Sequence, residues 1–235
     1  MTKRVTSIQA WDGNADCLNC SIRSSALFSG LTEQDFDSIH EPVEQITLEP
    51  GNVLYKMGDA GHHLFTVRSG LLKLVQSLPD GTQRIVRLMR STDVLGLEVL
   101  VAQQYEHEVI ALRASELCRY PKEAVIRLSQ NNPKLHKDLM ARWQKALSEA
   151  DAWITQLSTG SSKKRMANLL LRLPEGEDSA KCFLLSREDI GSILSMTLET
   201  ASRTISEFKR LGLIIEIRHN YVKLDIPALK AVVAG

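Results

Sequence analysis

No stretch of about 18 consecutive apolar residues occurs in the chain, and no apolar segment opens it, so neither a membrane span nor a secretory leader is expected and the cytoplasm is the expected compartment. Charge of one sign is not in excess. The 29 Lys and Arg stand against 28 Asp and Glu, a net +1 that by itself marks no nucleic-acid binder. Cysteine is scarce, with four residues, which speaks against a disulfide framework and leaves metal binding, redox chemistry or plain burial for the thiols. A spaced His-x-His with a downstream Glu is missing too. His62 and His63 would point to opposite faces of a strand, so together with His107 they make poor ligands for a metal enzyme, and no enzyme is expected.

What is present describes an ordinary soluble protein: 43% hydrophobic and 24% charged residues over 235 positions, enough for two domains with a sizeable core. Charge is mildly uneven. From Thr159 onward 12 Lys and Arg face 9 Asp and Glu, whereas the preceding part has 17 against 19, a balance consistent with a nucleic-acid-facing C-terminal half.

The most informative stretch is 185–213, LSREDIGSILSMTLETASRTISEFKRLGL. Ser186 is an N-cap with Asp189 three residues on in a box-like position, and Ile190, Ile193 and Leu194 share one helical face. After a break at Ser195 and Met196, Thr197 caps a second helix whose buried stripe is Ala201, Ile205, Phe208 and Leu211, and Gly212 ends it. This is the grammar of a helix-turn-helix, which sets the first residues of its second helix against base edges of double-stranded DNA. On the opposite face lie Glu199, Ser202 and Arg203, then Lys209 and Arg210, and these are the candidate DNA contacts. Arg donates twice to guanine and Glu accepts from a cytosine amino group. The plain alternative is an ordinary surface pair, since Glu and Arg four residues apart commonly bond to each other.

The pattern LETASRTISEFKRLGLI behind LSREDIGSIL resembles the DNA-binding helices of the CRP/FNR superfamily of bacterial transcription regulators. Glu199, Ser202 and Arg203 are similar to the E-x-x-S-R of its FNR branch, which reads TTGAT half-sites; the cyclic-AMP receptor branch has an Arg where Leu198 stands. The resemblance runs over essentially the whole chain and implies a homodimer that also contacts RNA polymerase.

Upstream, after a polar arm of residues 1–26, a short helix over 33–39 is followed by alternating runs at 44–48, 53–56, 63–69, 71–78, 84–89 and 108–118, separated by turns such as Glu49-Pro50-Gly51 and Pro79-Asp80-Gly81. Closely spaced short strands argue for an antiparallel β-roll over 27–131, which also looks like the family's cyclic-nucleotide-binding-like sensory domain. Members that bind cyclic AMP resemble one another in a G-E-L cassette followed by a phosphate-neutralising Arg. Here Gly96-Leu97-Glu98 is followed by His107 and Glu108 where that Arg is expected; Glu108 would repel a phosphate, so no cyclic nucleotide is expected as cofactor.

Asn132 and Pro133 open a long helix over 132–158. Leu135, Leu139, Trp143, Ala146, Ala150, Trp153 and Leu157 recur along it as a coiled-coil stripe, predicting a parallel dimer unless the stripe packs on its own β-roll. Past the Gly160 hinge, 159–235 reads as a winged helix-turn-helix: a helix over 163–173 whose Lys163, Lys164 and Arg165 face phosphates or solvent, a strand at 182–185, the two DNA-reading helices and a hairpin wing through His219 and Asn220. The expected class is α+β.

The cysteines are the expected site of the input. FNR-type oxygen sensors resemble C-x2-C-x5-C in the arm plus one distant Cys, which together hold a 4Fe-4S cluster; Cys17, Cys20 and Cys118 match three of those positions and Ala26 stands at the fourth. Three thiolates need a further carboxylate, imidazole or solvent ligand. The competing readings are a disulfide between Cys118 and an arm cysteine, a zinc site with the same shortfall, or a regulator answering a cyclic nucleotide or other small ligand with no sensing role for the cysteines. Cys182 is read as a core thiol.

Overall fold

The computed structural model describes residues 3–5, 27, 43–174 and 180–235, so the arm cysteines Cys17 and Cys20, Ala26 and the expected helix over 33–39 lie outside the described residues. Two compact units emerge, Met1–Gln76 with Val86–Leu147, and Ser77–Ile85 with Ser148–Gly235. Among the described residues no helix is long and apolar enough to cross a membrane.

Ahead of the helices run antiparallel strands β1 (Lys3–Val5), β2 (Val43–Leu48), β3 (Val53–Tyr55), β4 (His63–Ser69), β5 (Leu72–Ser77), β6 (Gln83–Met89), β7 (Val94–Leu95), β8 (Glu108–Ala111) and β9 (Ser115–Pro121). They form a sheet ordered β1-β2-β9-β4-β7 and a second ordered β3-β8-β5-β6. Alternation sends Phe65, Val67 and Leu117 of the first sheet, with Leu72, Leu74 and Val109 of the second, into one buried core.

The sequence predicts one strand over 108–118; the chain instead breaks it and changes sheets at residues 112–114. There the N–H groups of Leu112 and Arg113 both donate to the Leu71 carbonyl. Gly70 sits at this corner with φ +105 and its α-carbon face closed by Ser115, leaving no room for a side chain. A corner held by a distant glycine leaves no local mark on the apolar pattern of 108–118.

Helix α1 (Lys122–Asn131) leads into α2 (Pro133–Leu157), where Asn132 Oδ1 accepts from Leu135 N at 3.0 Å. The stripe predicted as a dimer seam is taken up within the chain at three of its seven positions. Leu135 and Leu139 belong to the β-roll core, Trp143 packs on it, and Leu157 is fully buried. Another row is exposed: Met140 at 50%, Leu147 at 60% and Ile154 at 61%, seven residues apart, with half-buried Trp143 and Ala150 between them. That 3-4 alternation is the heptad rule on a face that shares Trp143 and Ala150 with the predicted one.

The second unit is built from α3 (Ser162–Arg172), β10 (Lys181–Phe183), α4 (Arg187–Leu194), α5 (Leu198–Arg210), β11 (Ile214–Arg218), β12 (Tyr221–Leu224) and α6 (Ile226–Ala234). Its sheet is ordered β10-β12-β11. Helix α6, which the sequence reading leaves unassigned, starts on an Asp225 cap with Pro227 in its first turn and anchors through fully buried Leu229.

Candidate functional site

The α4–turn–α5 unit is shaped by its small residues. Ser186 Oγ accepts from Asp189 N at 3.0 Å and donates to Asp189 Oδ2 at 2.6 Å, a tight cap in which the acid holds the hydroxyl. Three turn features follow. Ser195 takes the left-handed conformation with φ 51, Met196 N bonds to Gly191 O, and Gly191 has its α-carbon against the Met196 carbonyl. Thr197 then caps α5 by accepting from Thr200 N at 3.2 Å.

The inner face of α5 is Ala201, Thr204, Ile205 and Phe208, all buried. Leu211, expected in that stripe, is 60% exposed. The helix stops one residue earlier: Gly212 N bonds to Lys209 O and Leu213 N to Phe208 O, a Schellman closure that turns Leu213 inward in its place.

The outer face carries Glu199, Arg203 and Arg210 exposed, with Ser202 half-buried at its margin. Ser206, which the sequence reading passes over, shares this face and is exposed, as its place three residues after Arg203 dictates. Among the described residues, no ion pair joins Glu199 to Arg203, so the surface-pair arrangement does not form. Both flanks of the helix are tied down instead. Lys163 Nζ meets Glu207 Oε1 at 2.7 Å on one side, and Lys209 Nζ meets Glu216 Oε2 of the wing at 2.6 Å on the other.

Lys209 therefore differs from the other four sequence candidates in having a carboxylate partner. That lysine holds the exposed Glu216 carboxyl below its usual range. Beside the pair, Ser186, Arg187 and Asn220 help to line a surface cleft of about 270 Å³, where burial lowers the pKa of Arg187. Arg165, grouped with Lys163 and Lys164 as a phosphate contact in the sequence, donates to the Leu194 carbonyl at the end of α4, a structural use of its charge.

In the β-roll, Cys118 is buried on β9, while Cys182 is buried on β10 in the other unit. Among the described residues no group of three or more His, Cys, Asp and Glu could hold a metal ion. His62 is exposed and His63 half-buried.

The cassette glycine, Gly96, lies against Tyr105, whose ring stacks on Tyr55 at 3.7 Å and whose hydroxyl donates to His63 O at 2.8 Å. Burial pushes Tyr105 up to about 12 and also raises Tyr55, with Glu98 adding to both. Glu108 does not supply the expected repulsion. It alternates with Val109 and Ala111, whose side chains enter the core, so it sits on the other face of β8. His107 is the residue near Glu98 and Arg87.

Residues 45–132 match the cyclic nucleotide-binding domain family and residues 164–232 the Crp-like helix-turn-helix domain family. The chain is 31% identical over 207 residues, 85% of each chain, to the transcriptional activator protein anr of Pseudomonas aeruginosa. It is 30% identical over 213 residues to electron transport regulator A of Shewanella oneidensis, covering 88% of this chain and 85% of the relative. The anaerobic regulatory protein of Haemophilus influenzae is 27% identical over 216 residues, with 89% and 84% covered. Among solved structures, FixK2 from Bradyrhizobium japonicum shares the fold with a TM-score of 0.74 at 21% identity, over 82% of this chain and 98% of that one.

Proposed function

Because this chain belongs to the CRP/FNR family of DNA-binding transcription regulators, whose members compared above are not enzymes, we propose that it binds an inverted repeat resembling TTGAT-N4-ATCAA as a homodimer. The observation that carries this reading is the outer face of α5, where Glu199 and Arg203 are exposed and not paired with each other at the helix start. The heptad row Met140, Leu147 and Ile154 supplies the dimer contact, and two-fold symmetry matches a palindromic site. RNA polymerase is the further partner and the cytoplasm the compartment.

The input we assign is oxygen or redox state, read at Cys17, Cys20 and Cys118. Relatives named for anaerobic regulation and electron transport support it. So does burial: Leu27, which follows the arm in sequence, and Cys118 are members of one buried core cluster. Cys118 supplies a buried sulfur donor, which suits a 4Fe-4S cluster. Such a cluster, held by the three cysteines and one further carboxylate, imidazole or solvent ligand, would supply an oxygen-labile redox centre. The competing use is a disulfide from Cys118 to Cys17 or Cys20, in which two thiols give two electrons and two protons to the oxidant. Cyclic nucleotide is not the signal. The Tyr55–Tyr105 stack against Gly96 supports this by occupying the space beside the cassette.

DNA binding is compared under anaerobic reducing and aerobic conditions for the wild type, Cys17→Ser, Cys20→Ser and Cys118→Ser, with iron, zinc and disulfide content measured. Binding that depends on oxygen in the wild type alone supports the assignment. Equal binding throughout, with no iron, zinc or disulfide in the wild type, removes it.

A further inference from the structure

Among the described residues only five buried side-chain nitrogen or oxygen atoms lack a hydrogen-bond partner: Gln45 Nε2, Thr66 Oγ1 and the Nε atoms of Arg87, Arg90 and Arg165. Each arginine has other N–H groups with which to satisfy its charge, so the two neutral side chains are the ones that call for an explanation. They are neighbours of one residue. In the five-stranded sheet Gln45 of β2 is paired with Cys118 of β9, and Thr66 of β4 is paired with Cys118 from the other side.

Residues paired across antiparallel strands project from the same face, with β-carbons about 4.5 to 5.5 Å apart. Gln45, Cys118 and Thr66 therefore form a single row, sulfur in the middle and an unused hydrogen-bonding group on each side. The row lies on the face opposite Phe65, Val67 and Leu117, which alternate with it along β4 and β9. Thr66 is 0% exposed and Cys118 7%, so water does not compensate the threonine.

A buried hydroxyl without a partner destabilises the fold, and a valine of the same shape would avoid that cost. A neutral thiol is a weak acceptor, whereas a thiolate bound to metal takes hydrogen bonds readily, and such bonds are part of what sets the potential and endurance of an iron-sulfur centre. We infer that Thr66 Oγ1 and Gln45 Nε2 are hydrogen-bond donors to the Cys118 sulfur when it carries ligand charge, and that they set how long the redox centre survives oxygen. The inference rests on the cysteine reading given above. Donors to the sulfur favour the more negative, reduced state, so removing one makes the centre easier to oxidise. Both residues act through Cys118 and are positioning residues.

The test uses the full chain with Thr66→Val, Thr66→Ser and Gln45→Leu. Two readouts are taken: thermal unfolding of the cofactor-free protein, and decay in air of the visible absorption after anaerobic loading with iron and sulfide. Cobalt(II) alone serves as a second probe of whether the thiolate centre assembles.

The expected result is opposite signs in the two states. Thr66→Val melts at the same or a higher temperature than wild type when cofactor-free, yet loses its chromophore severalfold faster in air. Gln45→Leu also decays faster, and Thr66→Ser returns to the wild-type rate. If the wild type forms a chromophore and the Val and Leu variants decay at its rate, the donor role is overturned while the cysteine centre stands. If the wild type takes up neither iron and sulfide nor cobalt(II), the cysteine centre fails and the donor role with it.

Discussion

The Met196 carbonyl oxygen stands 2.7 Å from where a β-carbon on Gly191 would be, so the turn between α4 and α5 closes against a bare α-carbon. Helices α4 and α5 of the helix-turn-helix meet at this contact. Gly191→Ala is expected to cost roughly 1 to 3 kcal/mol through overpacking against backbone. Denaturant unfolding measures it, and a variant as stable as wild type with intact DNA binding would show that the turn has slack.

Two leucines of α2 have separate duties. Leu139 is buried in the β-roll core, and its change to Ala is expected to cost roughly 2 to 5 kcal/mol. Leu147 is exposed, and Leu147→Asp is expected to leave the fold standing while shifting the protein to monomer and abolishing tight operator binding. Sedimentation together with thermal unfolding separates the two outcomes. A Leu147→Asp dimer of wild-type strength would place the interface elsewhere.

Lys209 and Arg210 are adjacent but differently engaged. Lys209 bonds to Glu216 at 2.6 Å, whereas Arg210 is exposed on the outer face beyond Arg203. Lys209→Ala is therefore expected to change the salt dependence of DNA binding less than Arg210→Ala, for which the slope of log affinity against log salt falls by about 1. Equal slopes for the two variants would mean that DNA breaks the Lys209–Glu216 pair.

Burial lowers the pKa of His63 and His107 below the ordinary 6.5; Arg119 and His62 add to the shift at His63, and Glu98 partly opposes it at His107. Well above pH 6.5 neither histidine contributes to pH dependence, being neutral folded and unfolded alike. As pH falls through 6.5 the unfolded chain takes up protons that the folded chain refuses, so stability declines until the lowered folded values are reached. His107→Gln is expected to flatten this acid limb, as read from melting temperature against pH. An unchanged limb would put the destabilising protons on other groups.

Local chemistry was legible wherever the signal was local. Ser186, Thr197 and Asn132 cap the helices that the sequence assigns to them, and the wing turns at Asn220 with φ 57. Misreadings occurred where a distant partner decides. The periodicity of α2 contains two apolar faces, and only the assembled β-roll shows that Leu135 and Leu139 are taken internally. Likewise the corner at 112–114 depends on Gly70, and Leu211 gives way to Leu213 through bonds made beyond the helix end. At the site, helical spacing put Glu199, Ser202 and Arg203 on one face, but the engagement of Lys209 by Glu216 required the wing to be folded.

The central claim is that α5 reads bases, and Arg203 tests it most directly. Affinities of wild type and Arg203→Ala are measured for the TTGAT-N4-ATCAA repeat and for a scrambled duplex at one salt concentration. The account predicts that the variant loses roughly 1 to 3 kcal/mol of discrimination at the base that Arg203 contacts, while its binding to scrambled DNA changes far less. A ratio of affinities identical to that of the wild type would contradict it.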